Sequence, residues 1–155
     1  MPCVWQGEKR IGYNDGMAAK DLYHDHVRTA LEKDGWTITH DQLKLEWREG
    51  QKVFIDLAAE KLLTAEKGTR KIAVEVKSFL SNSELRDLYN AVGQFLLYRQ
   101  LLRKSEPERE LFLAIRSTVY HDLFADAEGE SFRAAEEIKL LVFHAKKKEI
   151  VKWIP

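Results

Sequence analysis

Apolar and polar positions alternate most clearly between Val53 and Ser78. Val53-Phe54-Ile55-Asp56-Leu57-Ala58-Ala59-Glu60 and Lys71-Ile72-Ala73-Val74-Glu75-Val76-Lys77-Ser78 are short runs rich in β-branched residues. They predict two strands joined by the polar linker Glu66 to Arg70. In the second strand Ile72, Val74 and Val76 share one face, and Lys71, Ala73, Glu75 and Lys77 share the other. Asp56 stands between Ile55 and Leu57, where an acid is costly unless something positive pairs with it. If the strands pair, Asp56 meets Glu75 and Lys77. Two carboxylates brought together repel, and a divalent cation held by their oxygens relieves the repulsion. An ammonium beside them can hold a water or a developing negative charge.

The rest of the pattern supplies a frame for these strands. Ala18 to Asp34 reads as a helix with Leu22, Tyr23, Val27, Ala30 and Leu31 on one stripe, capped by Gly35. His24 and Asp25 lie beside that stripe, with His26 on the far side. Trp36 to His40 and Leu43 to Trp47 alternate like a hairpin turning at Asp41-Gln42, and Arg48-Glu49-Gly50 reads as a turn. Ser83 is the expected N-cap of a long helix, Glu84 to Lys104. Its expected core stripe is Leu85, Leu88, Tyr89, Val92 and Leu96, with Leu97, Tyr98, Leu101 and Leu102 on the other side. A helix apolar on both faces is buried on both, either inside the domain or at a subunit interface. The expectation is a homodimer in which the helix meets its mate near Leu101. Strands follow at Leu111 to Ile115, Lys139 to His144 and Ile150 to Ile154, with helices at Ser117 to Ala125 and around Ser131 to Glu137. The order predicts a mixed α/β domain with a central sheet.

Composition narrows the class. The 155 residues are 45% hydrophobic, enough for one domain with a core of its own. No apolar run approaches the ~20 residues of a membrane span, and Met1 to Gly16 lacks a secretory pattern, so a cytoplasmic protein is expected. Residues 1–16 read as a flexible extension ahead of a single domain at 17–155. The single cysteine, Cys3, excludes an internal disulfide and a cysteine-rich zinc site. Lys plus Arg and Asp plus Glu are 25 each, which argues against coating nucleic acid by bulk charge.

In a chain with 32% charged residues an acid-x-Lys triplet recurs by chance, and Glu137-Ile138-Lys139 is a second one. Only Glu75-Val76-Lys77 lies in a strand downstream of a strand-borne Asp. On the long helix Gln94 and Tyr98 are one turn apart and reach one place together. The Gln94 amide needs a partner if buried, while Tyr98 reads equally as a core aromatic, and His24 equally as a surface or satisfied core histidine.

Asp56 followed by Glu75-x-Lys77 resembles the PD-(D/E)XK nuclease superfamily, whose restriction-endonuclease-like fold is a mixed central sheet flanked by helices. Ile55 stands where that superfamily has proline. Gln94-x-x-x-Tyr98 resembles the glutamine and tyrosine motif of the RecB and Cas4-type branch, in which a first-helix histidine, here His24, often joins the metal site. Met17 to Pro155 is also similar to the XisH family, the fdxN-element excision controlling factors of cyanobacteria. The stretches are Ala18 to Asp25, Lys33 to Ile38, Phe54 to Leu57, Lys71 to Phe79 and Trp153-Ile154. The family implies a role in programmed DNA excision during heterocyst differentiation, with an XisI-type partner protein and a separate recombinase. The superfamily implies Mg2+ or Mn2+ on Asp56, Glu75, the Val76 carbonyl and His24. Lys77, Gln94 and Tyr98 would complete an endonuclease site for DNA. The alternative is a non-catalytic regulator that keeps the fold and binds the partner or DNA.

Overall fold

The central strands carry consecutive buried apolar residues, and successive side chains point to opposite faces, so helices must cover both. The computed structural model describes residues 21–64 and 68–155. The expected extension at 1–16, the first turn of the predicted first helix and part of the Glu66 to Arg70 linker lie outside them. Ten elements follow in order: α1 (His24–Lys33), β1 (Thr37–Arg48), β2 (Gln51–Thr64), β3 (Gly68–Val76), α2 (Glu84–Ser105), β4 (Arg109–Arg116), α3 (Ser117–Leu123), α4 (Ala127–Ala135), β5 (Leu140–His144) and β6 (Glu149–Ile154). The six strands form one sheet in the order β1-β2-β3-β4-β5-β6. β3, β4 and β5 run parallel, and the outer pairings are antiparallel. This is the mixed α/β sheet flanked by helices that the pattern predicts. No helix among the described residues is long and apolar enough to cross a membrane.

Two apolar clusters show how the faces are covered. On one side Ile72, Val74, Val76, Phe112 and Phe143 pack with Val27 and Leu31 of α1. On the other, Ile55, Ala58, Ala73, Leu113 and Ile115 pack with Ala91, Phe95, Leu101 and Leu102 of α2. β3 therefore alternates as expected. α1 ends in a left-handed Gly35 (φ +88°), with Gly35 N–H donating to Glu32 O and Trp36 N–H to Leu31 O. This reciprocal pair satisfies the last carbonyls and needs a residue without Cβ strain at Gly35. Ser83 caps α2 by accepting from Arg86 N at 3.2 Å.

Three expectations need correction. There is no hairpin at Asp41-Gln42: β1 runs unbroken and pairs with β2 from Thr37↔Glu60 to Arg48↔Gln51. Gln42 takes a φ of 103° and the register shifts between Ile38 and His40, so the alternation changes phase inside one strand and mimics a turn. Leu22 is exposed rather than on the α1 core stripe. On α2 only part of the expected stripe reaches the core: Leu88 and Val92 pack against it. Leu85 and Tyr89 are 56% and 67% exposed, whereas Leu101 and Leu102 are core, with Leu97 packed against them. Leu101 is therefore not available to a dimer mate.

Candidate functional site

The site begins where the alternation of β2 breaks. Ile55 and Ala58, three residues apart, both face α2, whereas Leu57 and Ala59 face α1. The residue caught in that irregularity is Asp56, and the β2–β3 ladder stops at Leu57↔Val74 beside it. Side chains take over from the ladder at this point. Asp56 Oδ2 accepts from Val76 N at 2.8 Å, and Asp56 N donates to Glu75 Oε2 at 3.3 Å. Both carboxylates are buried, Asp56 at 7% and Glu75 at 5% exposure. Lys77 Nζ lies 3.5 Å from Glu75 Oε1. Asp56, Glu75 and Lys77 thus meet as their spacing predicts. For Val76 the visible contact is its N–H on Asp56.

His24 reaches the same point from α1. Its ring is 1% exposed, with Nδ1 3.8 Å from Asp56 Oδ1 and Nε2 2.7 Å from Asp41 Oδ1. Asp41 also accepts from Arg28 Nη1, and Arg28 Nε bonds Glu32 at 3.0 Å. The Asp56 carboxylate raises the His24 pKa above its ordinary value, burial opposes this, and Asp41 raises it further. Asp41, which the apolar pattern assigns to a turn, is the member of this cluster that the pattern does not point to. The signal available was an acid and a histidine that both fall beside apolar runs.

Burial first, and then the charge of Asp56, pushes the Glu75 carboxyl up to about 8, against the pull of Lys77. Tyr98 is pushed up to about 12 by burial and by the charges of Glu75 and Asp56, which puts this α2 side chain within their field. One turn earlier, Gln94 carries a buried Oε1 with no hydrogen-bond partner.

The end of β3 is fixed from both sides. Lys77 N donates to Ala114 O at 3.1 Å, Ser78 N to Asp21 Oδ2 at 3.0 Å, and Ser78 O accepts from Arg116 Nη2 at 2.9 Å. Backbone around Lys77 is therefore held by β4 and by the residues leading into α1.

The XisH protein family model matches residues 17–151. The chain belongs to the XisH family. Two solved structures are similar to it over their whole length. An XisH family protein from Nostoc punctiforme PCC 73102 is 39% identical, with a TM-score of 0.77, covering 87% of this chain and 100% of its own. An fdxN element excision controlling factor protein from Anabaena variabilis is also 39% identical, with a TM-score of 0.77, covering 88% and 100%. No curated protein matches the chain.

The donor chemistry of this XisH site suits a hard divalent cation. Among the described residues no three His, Cys, Asp or Glu side chains are already gathered as a metal cage. Yet His24 Nδ1 is buried without a hydrogen-bond partner and faces Asp56 Oδ1, an orphaned donor position that normally calls for an explanation. The mutual repulsion of Asp56 and Glu75 is the electrostatic situation that a cation relieves. Oxygen ligands with one imidazole suit Mg2+ or, with His24 bound, Mn2+.

Proposed function

We propose that this XisH protein is a metal-dependent DNA endonuclease acting in the controlled excision of a DNA element. The observation that carries the reading is the convergence of Asp56, Glu75, Lys77 and His24 at the point where β2 parts from β3. The relative described as an fdxN element excision controlling factor supports the biological setting, and the resemblance to PD-(D/E)XK nucleases supports the chemistry. Asp56, Glu75 and His24 would hold Mg2+ or Mn2+. When bound, the metal supplies the positive charge that makes phosphodiester hydrolysis accessible near neutral pH.

The chain's own groups do the rest. Lys77, half-buried and beside Glu75, places an ammonium where the attacking water and the developing phosphate charge would stand. The clamp on Ser78 by Asp21 and Arg116 fixes the backbone from which the Lys77 side chain leaves. Asp41 holds the His24 ring by Nε2 and so aims Nδ1 at Asp56. Tyr98 approaches from α2 within the field of Glu75 and Asp56, and Gln94 precedes it by one turn of the same helix. A cleavage assay on supercoiled, linear and branched DNA with Mg2+ or Mn2+, with and without an XisI-type partner, tests the reading. Asp56→Ala and Lys77→Ala should each abolish cleavage. Wild type that leaves all three substrates intact under every condition would refute it.

One observation favours a second reading. Leu85, Tyr89 and Leu96 form an exposed apolar stripe on α2, the type of surface that protein partners cover. A non-catalytic regulator that docks an XisI-type partner there, or DNA, would bind without cutting. Retained partner binding by Asp56→Ala with no cleavage by wild type would select it.

A further inference from the structure

Glu137-Ile138-Lys139, the second acid-x-Lys triplet, does not join the Asp56 site. It lies beside a recess of about 270 Å3 between the last turns of α2, the start of β4 and the loop from α4 to β5. Four cations, Arg99, Arg103, Arg109 and Lys139, line it with only two carboxylates, Glu110 and Glu137. In a chain with 25 charges of each sign that local surplus is a feature of the fold.

Three of the four cations are held in place by the protein. Arg109 is 8% exposed; its Nε donates to Glu106 Oε2 at 2.7 Å and its Nη1 to Ile72 O at 3.0 Å. Lys139 Nζ donates to Glu110 Oε2 at 2.9 Å, and Glu110 is shared with Arg70 at 3.2 Å. Burial pushes the Glu110 carboxyl up, but Lys139 and Arg70 outweigh it and hold it below its ordinary value. Arg99 is different: its Nη1 donates to two neutral carbonyls, Glu136 O and Glu137 O, both at 2.9 Å, and its guanidinium lies 5.4 Å from the Phe95 ring centroid. Among the described residues no carboxylate pairs with this guanidinium. One turn further on, Arg103 is exposed and enters no ion pair among the described residues. Two like charges four residues apart on a helix repel, and an anion held between them would relieve that repulsion.

We infer that this recess is a second ligand site, one that binds a phosphate group between Arg99, Arg103 and Lys139. Arginine forks match phosphate oxygens in geometry and charge, and pre-anchored donors lose little freedom on binding. The phosphate could belong to a nucleic-acid backbone or to a free phosphate compound, and the recess serves either by the same chemistry. Glu137 marks how the site is built. It follows α4 with a φ of 52°, where glycine is the usual residue, and it turns its carbonyl toward Arg99. This assignment goes beyond the catalytic reading and does not need a metal.

The test uses full-length protein in EDTA, on an Asp56→Ala background so that cleavage cannot intervene. Fluorescence anisotropy follows a short DNA duplex, and thermal shift follows inorganic phosphate and pyrophosphate. Arg103→Gln changes an exposed side chain, and Lys104→Gln, the next residue, which lines a different surface pocket with Leu101 and Trp47, is the control. Loss of about tenfold in duplex affinity at 0.1 M salt for Arg103→Gln, with a salt slope less steep by about one, is the expected result for a nucleic-acid phosphate. Stabilisation by phosphate or pyrophosphate that Arg103→Gln removes, without duplex binding, assigns the recess to a free phosphate compound. Equal behaviour of the two variants, or no response of the parent to any probe, overturns the assignment.

Discussion

Asp56 and Val76 are joined side chain to backbone: Asp56 Oδ2 accepts the Val76 N–H at 2.8 Å where the strand ladder would otherwise continue. The acid thereby replaces a lost sheet bond and keeps its other oxygen, Oδ1, turned to His24. One oxygen of the carboxylate holds the backbone of β3 and the other faces the His24 ring.

A cation that binds only the folded protein stabilises it by mass action, about 2.7 kcal/mol at a hundred times its Kd. Millimolar Mn2+ should raise the melting temperature of wild type. Asp56→Ala should remove that response while lowering the metal-free stability by about 1–3 kcal/mol, since the Val76 N–H is left buried and unpaired. An undiminished Mn2+ shift in the variant would place the metal elsewhere.

Stability should also report Glu75. Its folded-state pKa is raised from 4.5 to about 8, so the folded protein holds a proton there that the unfolded chain has lost. Stability from this group is full below about 4.5 and declines as pH rises through about 8. Denaturant titrations in EDTA should show that decline, and Glu75→Gln should flatten it. A slope unchanged by the substitution would contradict the placement of this carboxyl.

His24 offers a reading of the same field by NMR. In metal-free protein its imidazole should titrate above the ordinary histidine value. Asp56→Asn and Asp41→Asn should each lower that pKa, because both carboxylates raise it. A value unmoved by either substitution would contradict this placement of the ring.

Leu101 separates core from interface. It is 6% exposed within the α2-side cluster, so Leu101→Ala should cost about 2–5 kcal/mol and Leu101→Glu should prevent folding. A folded Leu101→Glu protein that merely sediments more slowly would restore the helix to a dimer interface.

Much of the fold is legible in the sequence because β3 alternates without interruption and Ser83, Gly35 and Gly50 mark ends by local chemistry. The meeting of Asp56 with Glu75 and Lys77 is legible for the same reason, since period-two spacing survives in a flat strand. Asp41 is not legible. The register of β1 shifts between Ile38 and His40, just before the positive-φ residue Gln42, and a strand with such a shift is indistinguishable in pattern from two strands and a turn. The face of α2 is illegible for a different reason. Apolar residues surround the helix, so periodicity alone cannot say whether Leu85 or Leu101 is inside.

The sheet order equals the order of synthesis, and this bears on how the chain leaves the ribosome. Each ladder can close as soon as its second strand emerges, with no earlier strand waiting for a later one to slip between. The exception is the α1 side. Trp36, made early, packs against Trp153 with ring centroids 5.6 Å apart, and Trp153 also meets Phe112 at 4.8 Å. Nascent chains stalled before Trp153 would carry a complete Asp56 ladder and an indole at Trp36 without this partner, which makes β6 the latch of a vectorially assembled sheet.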